Sequence, residues 1–452
     1  MEASGENSNR VAFKSTNNLT ELMHDVLARA KAQGATDAMV SVNHDSGYSV
    51  DVRMGDVETV AFSEDKGVSL VVYMGHRKGG ASSTDTSPAA LDTLVGAACD
   101  IARVSAADPC FGLADKELIN NHFTDLDLYY PWDISPPEAI EKALACEALA
   151  LSLDKRIANS DGVNFSTYAF CNAFANTYGA EGIIKATRHS ISCSLIAKEG
   201  ESMQRDYDYT TARRPEDLDC LERLAKSAVE RATQRLGAKK LKTQKVPILF
   251  SSRVSSSLIS SFINAISGNN LYRKNSFLLD SIGQQVFPNT IKIYELPLLH
   301  RALGSSPFDS EGVPTRDNVF VQDGKILQYV LGSYSARRMG LKTTANSGGV
   351  HNLTVDPTAG GLQELLREMD KGLLVTELMG QGVNGLTGDY SRGASGFWVE
   401  DGKIQYPVEE ITIAGNLKDM FKAIIAVGND RNPNISTRCG SILLEQMTIA
   451  GH

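Results

Sequence analysis

The sequence predicts an α+β protein, in which a helix-flanked antiparallel N-terminal region is followed by a β-rich C-terminal domain of barrel or sandwich type. Two observations predict this class. In the first half of the chain, segments with apolar residues at helical spacing flank stretches of strict apolar–polar alternation. Beyond residue 246, most of the chain reads as short strands and loops, and two Asp-Gly pairs interrupt alternating apolar runs.

Three parts are expected along the 452 residues, a length that allows two or three domains. Residues 1–16 are polar, lack the apolar stretch of a signal peptide and are predicted to be a disordered leader. Residues 17–240 are expected to form the N-terminal α+β region, as two helix-plus-meander units with a connector near 105–133. Residues 242–452 form the C-terminal domain. No stretch approaches the ~20 apolar residues that a membrane-spanning helix requires.

Helix signals divide the N-terminal region. Apolar residues at a spacing of three or four predict a first helix that begins near Asn18 and ends at Gly34. Ser87, with the proline after it, begins a second. The third begins at 135–138 (Ser-Pro-Pro-Glu), which provides an N-cap serine, an early proline and a glutamate at N3. A charged helix near 216–236 closes the region.

Between these helices lie two meanders of antiparallel strands. In the first, turn signals at 45–47, 55–56 and 65–67 predict several short strands, because glycine and aspartate favour turns. The second spans about 157–210, with a turn at 179–182. The alternation gives each strand one apolar side, which we expect to face a core.

The C-terminal domain begins with a strand at 246–250 that leads into an apolar-striped helix at 254–267. The stripe, which we expect to be buried, consists of Val254, Leu258, Ile259, Phe262 and Ile266. Two hairpins are predicted at the Asp-Gly pairs 323–324 and 401–402, because both residue types tolerate a positive φ.

Composition argues against several classes of function. The net charge of −9 disfavours a broad nucleic-acid-binding surface. The seven cysteines are odd in number, widely spaced and contain no CxxC, which disfavours a disulfide scaffold or a four-cysteine zinc site. A reducing cytoplasm is therefore the predicted location, with neither a nucleic acid nor a membrane as partner.

No self-contained catalytic motif is present, and we assign no catalytic residue. No two of the eight histidines lie within five residues of each other, so neither HExxH nor HExxxH occurs. A zinc site assembled from scattered histidines remains an alternative. The nearest approach to the GxSxG motif of serine hydrolases lies at 393–396 and fails at Phe397, and there is no Walker A sequence.

Glycine and polar residues are densest at 376–396. Some of them are candidates for lining a peptide cavity, because glycine lets a second backbone approach and polar groups could orient it. These candidates are Gly380, Gln381, Gly382, Gly385, Asp389, Tyr390 and Arg392. On residue types alone, a series of tight turns in a β domain is the simpler interpretation.

Several long stretches resemble the TldD/PmbA family, also called the modulator of DNA gyrase family, and specifically its PmbA/TldE branch. These stretches are 77–85, 108–110, 114–118, 272–274, 276–281, 307–313, 333–337, 376–392 and 410–420. The resemblance runs from about residue 18 to the C-terminus. It implies a two-domain protein with a β-rich C-terminal domain.

The TldD branch of this family is a zinc peptidase with an HExxxH helix and a cysteine ligand near the end of the chain. The resemblance sets Ser260, Ser261 and Ala265 where the histidine, the glutamate and the second histidine stand, and Cys439 where the cysteine stands. These four are vestigial metal-site positions, because one thiolate alone does not hold zinc. The resemblance therefore implies no metal in this chain and zinc in a TldD-type partner.

The implied function is that of a PmbA/TldE-type subunit, which pairs with a TldD-type zinc peptidase as a heterodimer and degrades unfolded peptides. Two alternatives remain open. One is a stand-alone homodimeric protein that binds peptides or acts like a chaperone, and the other is a peptidase with an unrecognised metal site. A homodimer is also a possible form of the chain without its partner.

Overall fold

The computed structural model describes residues 17–119 and 123–451, and the leader expected at 1–16 lies outside them. Within the two described ranges, no helix is long and apolar enough to cross a membrane. The helices are α1 (Asn17–Ala32), α2 (Pro88–Val104), α3 (Pro136–Leu153), α4 (Leu221–Gln234), α5 (Ser255–Ala265), α6 (Gly268–Tyr272), α7 (Ser333–Arg338), α8 (Leu362–Met369) and α9 (Leu417–Lys422).

The strands of the first half of the chain are long, and those of the second half are mostly shorter. They are β1 (Asp37–Arg53), β2 (Asp56–Met74), β3 (Arg77–Ser83), β4 (Ile157–Asn176), β5 (Glu181–Glu199), β6 (Ser202–Ala212), β7 (Gln244–Phe250), β8 (Ile293–Glu295), β9 (Asn318–Gln322), β10 (Lys325–Ile326), β11 (Leu353–Val355), β12 (Gly372–Met379), β13 (Asp389–Glu400), β14 (Lys403–Asn416), β15 (Ile424–Val427) and β16 (Ile442–Ala450). Mixed helix and sheet of this kind confirm the predicted α+β class.

The chain divides into two compact units. The first contains most of the chain before residue 234, and the second contains most of the rest. Two short segments depart from this division: residues 199–202 belong to the second unit, and residues 311–314 belong to the first. The domain boundary expected at 240–242 stays a prediction.

The strands of the first unit form one six-stranded sheet in the order β3-β2-β1-β4-β5-β6. Its two meanders, β1 to β3 and β4 to β6, are joined because β1 pairs antiparallel with β4. Helices α1 and α2 pack against the sheet, and their side chains Met23 and Leu94 share a buried cluster with Val40 and Leu70 of β1 and β2. Burial of these apolar side chains is the main favourable contribution to the stability of this unit.

The helix starts predicted in the first unit are largely confirmed. Ser87 caps α2, and Ser135 and Glu138 form the predicted capping box of α3. The charged helix near 216–236 is shorter than predicted, since 215–217 form a 3₁₀ turn and α4 begins only at Leu221.

The turn signals of the first meander were only partly correct. β1 and β2 run without interruption through 45–47 and 65–67, where the sequence predicts turns. Gly47 is instead a point of close approach, because a Cβ there would overlap the backbone and ring of Tyr168. The turn predicted at 55–56 is confirmed, with a positive φ of 84° at its glycine.

The second unit contains the β-barrel that the sequence allowed for. Its main sheet has the order β14-β13-β12-β7-β16-β15, and an additional pairing of β14 with β16 closes the first five of these strands into a ring. β7 and β12 are parallel, whereas β12 with β13, β13 with β14, and β7 with β16 are antiparallel. A second sheet has the order β10-β9-β8-β11.

Helix α5 packs into the main core of the second unit. Four side chains of the predicted stripe are buried: Leu258, Ile259, Phe262 and Ile266. Val254 is an exception, because it is only partly buried and precedes the first residue of the helix. The Phe262 ring stands edge-on to Phe287 and Phe421, with centroids 4.9 and 5.8 Å away.

Both Asp-Gly hairpins are confirmed. Between β9 and β10, Asp323 and Gly324 have φ values of 51° and 72°. Between β13 and β14, Asp401 and Gly402 have φ values of 51° and 66°. Two consecutive residues with positive φ match the twist of the flanking strands, which is why this dipeptide predicts a hairpin.

Candidate functional site

The glycine-rich segment forms a loop that joins two strands of the barrel. Residues 380–388 lie between β12, which ends at Met379, and β13, which begins at Asp389, and most of the loop is exposed. Gly380 and Gly388, at its two ends, have φ values of 75° and 84°. The chain therefore turns at both ends through a conformation that favours glycine.

Two further glycines of the loop differ in their surroundings. A Cβ at Gly382 would overlap the carbonyl of Ser391, whose amide donates a 2.7 Å hydrogen bond to the Gly382 carbonyl. Gly382 therefore lets the two sides of the loop pair closely, which is a role in folding. At Gly385, an added Cβ would have no described atom within 4 Å, although its carbonyl accepts a 3.1 Å hydrogen bond from the Phe277 amide.

The carboxylate of Asp389 holds the loop together. It accepts hydrogen bonds from the Thr387 hydroxyl at 2.7 Å and from the side-chain amide of Asn416 at 3.0 Å. The bond from Thr387 and then that from Asn416 lower the pKa of Asp389 below its usual value, because both stabilise the ionised form. Gln381, by contrast, lies exposed on the outside of the loop.

Tyr390 and Arg392 carry buried polar atoms that the described residues leave unpaired. Tyr390 is 2% exposed, and neither its hydroxyl nor the Nε of Arg392 has a hydrogen-bond partner there. Burial raises the pKa of Tyr390 to about 12, and the nearby Arg392 guanidinium opposes this rise. The Tyr390 hydroxyl and the Arg392 guanidinium therefore interact with each other on the strand that follows the loop.

Exposed apolar side chains occur on the loop and on the segment that is hydrogen-bonded to it. The loop contacts the segment 277–282 through the hydrogen bond between Phe277 and Gly385. The large exposed apolar side chains of the two segments and of the adjoining strand end are Leu279, Ile282, Met379, Val383 and Leu386. We call these five, together with Gly385, the loop surface. Grouped exposed apolar residues are typical of surfaces that bind other chains.

Three vestigial metal-site positions lie on α5 in different environments. Ser260 is exposed, and Ala265 is buried in the core. The Ser261 hydroxyl donates a 3.0 Å hydrogen bond to the carbonyl of Ser257, one turn earlier in the helix. None of the three side chains is a zinc ligand by type, and the Ser261 hydroxyl is already used within the helix.

The fourth position, Cys439, is fully buried beside the Ser255 hydroxyl at the start of α5. Burial raises the pKa of its thiol to about 12. Ser255 is buried and Ser260 is exposed, so the two lie on different faces of the helix. The donor set of the four positions does not fit zinc. In the described part of the chain, no group of three or more His, Cys, Asp and Glu side chains is placed to hold a metal ion.

A buried polar cluster lies where the sequence offers no motif. The Glu295 carboxylate, 1% exposed, accepts hydrogen bonds from the side-chain amides of Asn318 and Asn346 at 2.6 and 2.7 Å, and from the His351 amide at 2.7 Å. These donors satisfy the buried charge, which indicates a structural role. No local spacing could have revealed the cluster, because its members come together only in the fold.

Models of three domains of one protein family match almost the whole described chain. The model of PmbA/TldA metallopeptidase domain 1 matches residues 38–102, that of the central domain matches 129–236, and that of the C-terminal domain matches 243–451. The chain is 48% identical to the metalloprotease PmbA of Escherichia coli O157:H7 over 425 residues, which cover 94% of each protein. It is 44% identical to a metalloprotease PmbA homolog of Haemophilus influenzae, with 99% of each chain covered.

Solved structures show the same fold. A protein of Bacteroides thetaiotaomicron VPI-5482, described as a modulator of DNA gyrase, superimposes with a TM-score of 0.91 at 29% identity, covering 97% of this chain and 100% of that one. TldE of Thermococcus kodakarensis superimposes with a TM-score of 0.81 at 21% identity, covering 95% and 100%. At that lower identity the likeness concerns the fold alone.

Proposed function

This chain belongs to the PmbA/TldD metallopeptidase family, and we propose that it is a PmbA/TldE-type, zinc-free subunit of a metallopeptidase complex that degrades unfolded peptides. In this proposal, a TldD-type partner forms a heterodimer with the chain and carries the zinc. The chain itself supplies a surface on which the peptide docks. A cytoplasmic location is part of the proposal and rests on the odd, scattered set of seven cysteines.

The loop surface is the observation that supports peptide docking. It combines exposed apolar side chains, which unfolded peptides also expose, with backbone that has room for a second chain at Gly385. The polar side chains of Tyr390 and Arg392 lie on the strand that follows the loop. Affinity from apolar contacts and main-chain bonds would explain binding of peptides without a strong sequence preference.

The absence of zinc from this subunit can be measured directly. Purified alone and dialysed, the chain should contain well under one equivalent of zinc and should not cleave an unstructured peptide, because its four vestigial positions do not form a zinc donor set. The TldD-type partner alone and the mixture are measured under the same conditions. We expect stoichiometric zinc only in samples that contain the partner, and the highest activity in the mixture. Stoichiometric zinc and cleavage by the isolated chain would instead indicate an unrecognised metal site.

The docking role can be separated from folding with two matched glycine variants. Gly385 and Gly96 both have open space around an added Cβ, but Gly96 lies in α2 of the first unit and is not part of the loop surface. Gly385→Leu should lower peptide cleavage by the reconstituted pair several-fold while thermal unfolding stays unchanged, because a side chain there obstructs a passing backbone. Gly96→Leu should retain full activity. Equal activity of both variants would remove the loop surface from the docking site.

The same reconstitution distinguishes the proposal from a stand-alone peptide-binding protein. A stand-alone protein would bind unstructured peptide without increasing the activity of any TldD-type partner and would not co-elute with it. Co-elution of the two chains, measured by size-exclusion chromatography with light scattering, is the result expected here.

A further inference from the structure

A cluster of positive charges lies at one edge of the smaller sheet in the second unit. Tyr294 of β8 pairs with Thr354 of β11, and Thr354 in turn forms a parallel bridge with Arg438. Residues paired across neighbouring strands share a face of the sheet, so Tyr294, Thr354 and Arg438 lie side by side. The Lys292 ammonium stands 5.0 Å from the centre of the Tyr294 ring.

Arg431 reaches the same edge from the loop that follows β15. Its Nη2 donates a 3.1 Å hydrogen bond to the carbonyl of Val355, and the amide of Val355 donates to the Arg438 carbonyl at 3.1 Å. Both arginines are therefore anchored on one residue of β11. Burial raises the pKa of Tyr294, and both guanidinium groups oppose this rise, as expected for cations close to the phenol.

The carboxylates near this cluster are already engaged. Asp356 accepts the Tyr294 hydroxyl at 2.8 Å, and Asp430 accepts the Ser441 amide and hydroxyl at 2.9 and 2.6 Å. Across the described residues, no carboxylate oxygen forms an ion pair with Lys292 or with either arginine of the cluster. The Nε atoms of Arg431 and Arg438 are buried without a hydrogen-bond partner.

We propose that Lys292, Arg431 and Arg438 form an anion site that binds the C-terminal carboxylate of a peptide. The two nearby carboxylates are held by hydrogen bonds from Tyr294 and Ser441, so the cations of the cluster can accept an additional anion. Guanidinium groups bind planar carboxylates through paired N–H donors, so the unpaired Nε atoms match this ligand. The identity of the ligand as a peptide rests on the proposed function, whereas the charge and geometry of the site do not.

The site is tested with one unstructured peptide prepared in two forms, as the free acid and as the C-terminal amide. Binding to the full chain is measured by fluorescence anisotropy through a dye at the N-terminus. The free acid should bind roughly ten-fold more tightly than the amide at low salt, since bonds to charged groups contribute that much, and the ratio should fall as ionic strength rises. A second amidated peptide with one internal aspartate shows whether a side-chain carboxylate can occupy the site.

Variants identify the residues responsible. Arg438→Gln and Arg431→Gln should each bring the ratio close to one without changing the affinity for the amide, and Arg438→Lys should restore part of it. Arg367→Gln, an exposed arginine of α8 in the same unit, is the matched control and should keep the full ratio. Thermal unfolding of each variant identifies any that fail to fold, and the comparison of the two peptides on the unaltered chain needs no variant.

Each outcome decides the proposal. Equal affinity of the unaltered chain for acid and amide would overturn the anion site and leave the proposed peptide-binding function standing. If neither form binds, the anion site on this chain is overturned, whereas the proposed function is still decided by cleavage in the reconstituted pair. A ratio that persists in Arg431→Gln and Arg438→Gln would show that the carboxylate binds elsewhere and would overturn the assignment to these residues.

Discussion

Helix α5 and the loop at 380–388 belong to the same unit but differ in how their side chains are buried and hydrogen-bonded. On α5, Leu258, Ile259 and Phe262 are buried, and the Ser257 and Ser261 hydroxyls donate to carbonyls three or four residues earlier. On the loop, Val383 and Leu386 are exposed, and the following strand carries buried polar atoms without partners. The helix that resembles a metal helix is thus a packing element, whereas the loop exposes apolar side chains to solvent.

The largest effect on stability, and the strongest test of this comparison, is expected from a substitution in helix α5. Phe262→Ala should lower the free energy of unfolding by about 3–5 kcal/mol, because it removes a buried ring and leaves a cavity beside Phe287 and Phe421. Ser260→Ala, an exposed position on the same helix, should change stability by no more than about 0.5 kcal/mol. Denaturant unfolding measures both. An unchanged midpoint for Phe262→Ala would contradict the description of α5 as a packing element.

The next effect concerns the strand after the loop and depends on pH. The Tyr390 pKa is raised from 10.0 to about 12 in the folded chain, so the folded state favours the neutral phenol. Stability is then fully present below pH 10 and is lost as pH rises towards 12, by about 2–3 kcal/mol from this group. Tyr390→Phe removes this loss.

The measurement compares unfolding of the two proteins between pH 8 and 11.5. Tyr48, whose pKa burial also raises to about 12, contributes equally to both proteins and cancels in the difference. Near pH 7, Tyr390→Phe should cost about 1 kcal/mol, because it removes the interaction of the hydroxyl with Arg392. Parallel stability curves over the whole range would show that Tyr390 is not buried in the manner described.

The smallest effect separates two glycines within the loop. Gly382→Ala should destabilise the fold by about 1–3 kcal/mol, because the added Cβ meets the Ser391 carbonyl, whereas Gly385→Ala should change stability by no more than about 0.5 kcal/mol. Thermal unfolding of the two variants measures the difference. Similar melting temperatures would mean that the loop adjusts freely and that its glycines are interchangeable.

Gly382 and Gly385 also differ in what a substitution at each position can reveal about ligand binding. If Gly382 lined a peptide cavity, a bulky substitution there would block the ligand and leave the fold intact. The close approach of Ser391 shows that the fold itself requires glycine there, so lost activity in Gly382→Val would not report on a ligand. Gly385 is the position at which the two effects can be told apart.

Helix caps, hairpin turns and helix faces could be predicted from the sequence, because the contacts that determine them join residues close together in the chain. The caps at Ser87 and Ser135, the Asp-Gly hairpins and the apolar stripe of α5 depend on bonds or side chains one to four residues apart. The sequence also determined that no HExxxH motif exists, since motif and spacing are local properties.

Only the tertiary structure decided which distant segments meet. The pairing of β1 with β4 merges the two meanders, and that of β14 with β16 closes the barrel. The pairing of β1 with β4 also makes Gly47 a contact rather than a turn, and contacts with β8 and β11 bring Lys292, Arg431 and Arg438 to one sheet edge. The sequence shows the same glycine or arginine whichever role that residue has in the folded chain. Its role depends on the neighbour that the folded chain places beside it, because packing and charge interactions act through space rather than along the sequence.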